Sequence, residues 1–246
     1  MTGKRSVYLR RPRYMTTIAA NLQAVRQRIA AACAAAGRTP DSVVLLAVSK
    51  SWPAERLREA AACGQLAFGE SYVQEAEAKI AELRDIAAEP RLEWHFIGPL
   101  QSNKTRVVAE QFDWLHSLDR LKLAERLSLQ RPSAMAPLQV CIQVNVSGEQ
   151  SKSGCALEQV RTLVRAVAAL PRLRLRGLMA IPEPSDDPAL LQERFASLRQ
   201  LREQLNVQGF ALDTLSMGMS HDLEAAIAEG ATIVRVGTAI FGERPL

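Results

Sequence analysis

Short, unbroken apolar runs recur along this chain, and each is followed by a stretch with apolar residues at three- and four-residue spacing. Eight such runs read as strands: 43–50 (VVLLAVSK), 66–70 (LAFGE), 93–98 (EWHFIG), 114–118 (WLHSL), 138–146 (LQVCIQVNV), 175–181 (LRGLMAI), 214–219 (TLSMGM) and 233–238 (IVRVGT). Apolar runs without polar alternation are what strands buried on both faces of a parallel sheet require. Helical stretches fall between them, from Pro53 to Gly64 and at about 72–88, 103–111, 120–130, 156–170, 188–207 and 221–229. The stripe Leu190, Leu191, Phe195, Leu198, Leu201, Leu205 shows the spacing. The first and last strand ends, Lys50 and Thr238, lie 188 residues apart over seven steps, about 27 per strand–helix unit. That arithmetic predicts an α/β chain folded as a single (β/α)8 barrel, the TIM barrel. A doubly wound open sheet is the competitor, and the count of eight favours the barrel. An extra N-terminal helix over 16–36, capped by Thr16 or Thr17 and stopped at Gly37, is expected to pack across one mouth.

Composition narrows the class further. With 48% hydrophobic and 23% charged residues in 246, the chain has enough apolar surface to bury a core, and disorder is excluded. The net charge of +5 is misleading: Lys4, Arg5, Arg10, Arg11 and Arg13, with no acid among residues 1–14, supply all of it. The remaining body is neutral, whereas a nucleic-acid binder carries its charge as a patch on the fold. The expected organisation is a disordered basic extension over 1–14 and one domain over 15–246, with Met15 an alternative start. The extension has no apolar core for a secretory signal, and no run approaches the roughly 20 residues of a membrane span. Four cysteines (33, 63, 141, 155) without C-x-x-C spacing point to a reducing, cytoplasmic setting and to no metal site.

Residues that end barrel strands are the ones placed to act on a ligand. Lys50 ends the first strand; at the mouth, partly desolvated, its amine can attack a carbonyl, or it simply leaves the strand into solvent. In 234–242 (VRVGTAIFG), Gly237 lets a phosphate approach the backbone, and Thr238 adds an N–H and a hydroxyl; an ordinary strand-to-turn glycine is the alternative. Arg235 lies two residues before Gly237 and shares its strand face. The segment 216–220 (SMGMS) offers Ser216, Ser220 and the glycine Gly218 as a second wall of that subsite. The stretch 68–75 (FGESYVQE) brings Ser71 to the second strand's loop. His95 and His116 are either bases or packed core histidines, and their apolar neighbours favour the core. Asn103 and Lys104 either face an anionic ligand at the mouth or form a solvated helix start, and Asn145, Ser147, Ser151 and Lys152 are polar mouth residues without a role. No G-x-G-x-x-G, G-x-x-x-x-G-K-[ST] or H-E-x-x-H pattern occurs.

Several of these segments together closely resemble the YggS/PROSC family of pyridoxal phosphate homeostasis proteins: LLAVSK with FGESYVQE, WHFIGPLQSNK, GLMAIP, and LSMGMSHDLEAAIAEG followed by VRVGTAIFGER. The likeness runs over residues 16–244 and implies a barrel like the N-terminal domain of alanine racemase. It implies pyridoxal 5'-phosphate as cofactor, bound as a Schiff base on Lys50. Arg235 would lie near the pyridine nitrogen and keep it unprotonated. Gly237, Thr238 and Ser216 would hold the phosphate, with Ser71 and Gly218 beside the cofactor. One departure is visible, because the family reads F-G-E-N where this chain has Ser71.

The resemblance implies a protein that binds, buffers or delivers the cofactor inside the cell without turnover of its own. An amino-acid racemase is the alternative. Racemisation needs an acid/base group on each face, and the β-rich domain that supplies a tyrosine in alanine racemase has no counterpart before Leu246. The three tyrosines are Tyr8, Tyr14 and Tyr72. A cofactor-free aldolase using Lys50 lacks a clear general base. Expected partners are the cofactor and the apo-enzymes that use it, with no nucleic acid and no membrane, and the expected state is a monomer.

Overall fold

The computed structural model describes residues 17–86, 91–147, 153–183, 185 and 187–243. The basic leader, Thr16, the last residues of the helix expected at 72–88, and Ser151 and Lys152 lie outside them. All eight strands form: β1 (Val44–Val48), β2 (Ala67–Glu70), β3 (Glu93–Phe96), β4 (Trp114–Leu118), β5 (Leu138–Gln143), β6 (Leu173–Met179), β7 (Thr214–Ser216) and β8 (Ile233–Val236). They pair in chain order, each parallel to its neighbours, and β8 returns to β1 in the register Val44–Ile233 to Ala47–Val236. The sheet is therefore a closed barrel without an edge, and the open-sheet alternative is ruled out.

Nine α-helices surround the barrel: α1 (Ile18–Ala35), α2 (Ala54–Ala62), α3 (Val73–Glu82), α4 (Thr105–Gln111), α5 (Leu121–Gln130), α6 (Leu157–Ala168), α7 (Pro188–Val207), α8 (Leu223–Ala228) and α9 (Thr238–Phe241) among the described residues. The strand pleat sends successive side chains to opposite faces. Outward-facing Ala47, Phe68, Leu115, Val140, Leu178, Leu215 and Val234 join the helices in one large apolar layer. Inward-facing Leu46, Ala67, Trp114, Cys141, Met179 and Ile233 make a separate small cluster inside the barrel. Burial pushes the Cys141 thiol up to about 12, so it is a packing group and not a nucleophile.

The first helix departs from expectation. Thr17 caps it, its hydroxyl accepting from the Ala20 N–H at 3.2 Å, and Ile18, Leu22, Val25, Ile29 and Cys33 form its buried stripe. That stripe packs along α8, α9 and α2, not across a mouth. The Asn21 amide donates to the Ile240 carbonyl at 2.7 Å, and Arg28 pairs with Glu224 at 2.8 Å. The reason is geometric. The four-residue α9 is too short to cover the β8–β1 flank, and α1 fills the place in the helix ring that it leaves open.

Candidate functional site

At the C-terminal ends of the strands the loops enclose a cavity of about 210 Å3. Six of the sequence-expected residues line it together: Lys50, Ser71, Ser220, Arg235, Gly237 and Thr238. Lys50 stands two residues past β1, Ser71 one past β2, Gly237 one past β8, and Thr238 opens α9. The apolar side chains of Trp52, Ile97, Ile181 and Met219 share the wall with Ser220 and His221. Among the described lining residues there is no Asp or Glu, and those residues offer an amine, a guanidinium, hydroxyls and N–H groups. That donor set fits an anionic, phosphate-bearing aldehyde.

Arg235 shows why β8 carries a charge into the barrel. It follows Ile233 by two residues and so points the same way, one layer nearer the mouth. Burial pushes its guanidinium down to about 10. Two of its nitrogens are already used: Nη1 donates to the Ser216 carbonyl and hydroxyl at 2.6 and 2.8 Å, and Nη2 donates to the Ala180 carbonyl at 2.8 Å. Beneath lies a buried chain in which Ser216 Oγ meets His116 Nδ1 at 2.7 Å and His116 Nε2 meets His95 Nδ1 at 2.9 Å. Arginine can only donate, so the Ser216 hydroxyl oxygen accepts from it. The two histidine contacts continue the chain inward, and His95 Nε2 stands 3.6 Å from the Glu93 carboxylate. Burial first, and the electrostatic influence of neighbouring His95 and Arg235 next, hold the His116 pKa well below its ordinary range, which keeps the ring neutral. Both histidines are therefore core residues rather than bases at the cavity.

Two expected residues stand elsewhere. Ser216 and Gly218 are not in the cavity lining. Ser216 is fully buried under Arg235 with its hydroxyl spent on Arg235 and His116. Its inward pleat position puts it below the floor, and Ser220, the second hydroxyl of the same segment, reaches the cavity. Gly218 is required by backbone: its φ is +91°, and a Cβ would stand 2.6 Å from that of Ala226. Its carbonyl accepts from the Arg235 N–H at 2.9 Å. Gly237 has a different constraint, since a Cβ there would lie 3.1 Å from the Val48 carbonyl across the β1–β8 seam. Sequence reasoning passed over His221, Trp52 and Ile181. Their signal was position alone, since each follows a strand end by a few residues.

The chain matches the family described as alanine racemase, N-terminal domain, over residues 18–245. It is 61% identical over 230 residues to a pyridoxal phosphate homeostasis protein of Pseudomonas aeruginosa, covering 94% of this chain and 97% of that one. A protein of the same name from Escherichia coli is 53% identical, over 94% of this chain and 98% of its own. Among solved structures, PipY of Synechococcus elongatus, with pyridoxal phosphate bound, superposes with a TM-score of 0.80 at 41% identity, covering 92% of this chain and all of that one. The chain has the barrel of the alanine racemase N-terminal domain and belongs to the family of pyridoxal phosphate homeostasis proteins.

Proposed function

We propose that the protein holds pyridoxal 5'-phosphate in this cavity as a Schiff base on Lys50, and that it buffers the cofactor and hands it to apo-enzymes. The observation that carries the reading is the meeting of Lys50, Arg235, Gly237 and Thr238 in one cavity whose described lining has no carboxylate. When bound, the cofactor supplies an aldehyde and an electron-withdrawing ring. Thr238 and Ser220 donate hydroxyls to the phosphate, and Gly237 lets it approach the backbone closely. Ser71 lines the wall from the β2 side. Arg235 faces the ring nitrogen and, as a cation, disfavours its protonation, which makes the ring a weak electron sink. Ser216 and Gly218 serve the cofactor through Arg235, whose side chain and backbone they hold.

The site is assigned no turnover of its own. A racemase reading would need His221 as its second acid/base group, because Tyr72 is 57% exposed and outside the lining. We further propose that residues 15–246 are the binding domain, that it works as a monomer, and that it acts in the cytoplasm. Borohydride reduction of the loaded protein followed by peptide mass spectrometry tests the assignment. The pyridoxyl adduct is expected on Lys50 and absent from Lys50→Ala; an adduct confined to other lysines overturns it.

A further inference from the structure

Lys50 sits in the middle of a turn whose two flanking residues are both gripped by one cluster. On one side, the Ser49 carbonyl accepts from Lys79 Nζ at 2.7 Å, and the Ser49 hydroxyl donates to Glu70 Oε1 at 2.7 Å. On the other side, the Ser51 N–H donates to Glu75 Oε1 at 2.6 Å. Lys79 joins the halves by donating to Glu70 Oε1 at 2.7 Å and to Glu75 Oε1 at 2.5 Å. With Ser49 these make three acceptors, so all three ammonium hydrogens are committed. Lys79 is 4% and Glu70 0% exposed, and an ion cluster buried that deeply is weak evidence for a stabilising role alone. Ser51 has φ +67°, a left-handed conformation that non-glycine residues seldom hold without an outside restraint. Glu75 supplies that restraint.

We propose that Glu70, Glu75 and Lys79 are positioning residues for Lys50, holding its turn so that the amine faces the cavity before any ligand arrives. A preset amine loses less freedom when it condenses with an aldehyde, and the gain appears only for ligands that react with it. A cluster that merely supported the fold would affect every ligand of the cavity alike. This inference rests on the cavity being a pyridoxal phosphate site.

The test compares pyridoxal 5'-phosphate with pyridoxine 5'-phosphate, which has an alcohol in place of the aldehyde, by equilibrium dialysis. Wild type is expected to prefer the aldehyde, and Glu75→Ala to reduce that preference about tenfold. Glu75 is the accessible member of the cluster, its side chain 28% exposed, so its removal disturbs the interior least. Glu75→Gln keeps an oxygen for the Ser51 N–H and is expected to restore the preference to within about threefold of wild type. An unchanged preference in Glu75→Ala, or a Gln variant as poor as Ala, overturns the positioning role. Failure of the wild-type protein to take up either compound instead overturns the assignment of the cavity.

Discussion

Thr238 is a useful place to weigh single residues. It is the first residue of a four-residue helix and lies against the cavity, so its hydroxyl has little structural work. Thr238→Ala is expected to weaken cofactor retention by about 1–2 kcal/mol, the worth of one hydrogen bond to a charged group, with little change in folding. Equilibrium dialysis reads this, and unchanged retention removes Thr238 from the phosphate subsite. Lys50, Ser71, Arg235, Gly237 and Thr238 were legible in the sequence because each ends or follows an apolar run, and barrels put such residues at one mouth. Ser216 lies beneath the cavity lining for an equally physical reason. A one-residue uncertainty in where β7 ends decides whether a side chain points into the barrel floor or into the loop. The Lys79 cluster was not legible, since nothing in the spacing of Ser49, Glu70, Glu75 and Lys79 says that three elements bring them together.

Among elements, the tightest constraint outside the cavity lies where β6 meets β7. A Cβ on Gly177 would stand 1.8 Å from the Thr214 carbonyl, so the two strands approach as closely as they do only because Gly177 has none. Gly177→Ala must push backbone against backbone and is expected to cost roughly 3 kcal/mol, the upper end of overpacking penalties. Urea unfolding measures the loss, and a neutral substitution would mean that the strands part easily. Strand and helix identity was readable from periodicity, which long amphipathic segments such as α7 display over several turns. Two things escaped it. Four residues are too few for a helical stripe, so α9 appeared only as a turn after β8. The place of α1 depends on the gap that α9 leaves, and a segment's own pattern does not contain what its neighbours fail to cover.

For the molecule as a whole, eight units at regular spacing made the barrel the favoured architecture, while closure itself could be seen only in the β1–β8 pairing. Among the described residues no helix is long and apolar enough to cross a membrane. Global stability should carry the mark of the buried chain under Arg235. The His116 ring is fully buried and its pKa lies well below the ordinary 6.5. On unfolding it regains that ordinary value. Between the two pKa values the unfolded chain binds a proton that the folded one does not, so stability falls as pH drops below about 6.5, by up to about 1.4 kcal/mol per unit from this ring. Urea unfolding between about pH 7 and 5 should show this slope, and His116→Asn should flatten it. An equal slope in the variant would mean that the ring titrates in the native state.

The β1–β8 seam also has a temporal meaning. Lys50 and Thr238 flank it in space but are 188 residues apart along the chain, and α1, made first at the ribosome, has its berth against α8 and α9, made last. On the proposed reading, the lysine that takes the aldehyde is thus synthesised early yet meets Gly237 and Thr238 only after some 188 further residues have emerged. On that reading a nascent or truncated chain would expose a lysine with nothing to select its aldehyde, and vitamin capture would be a property that the completed ring alone possesses.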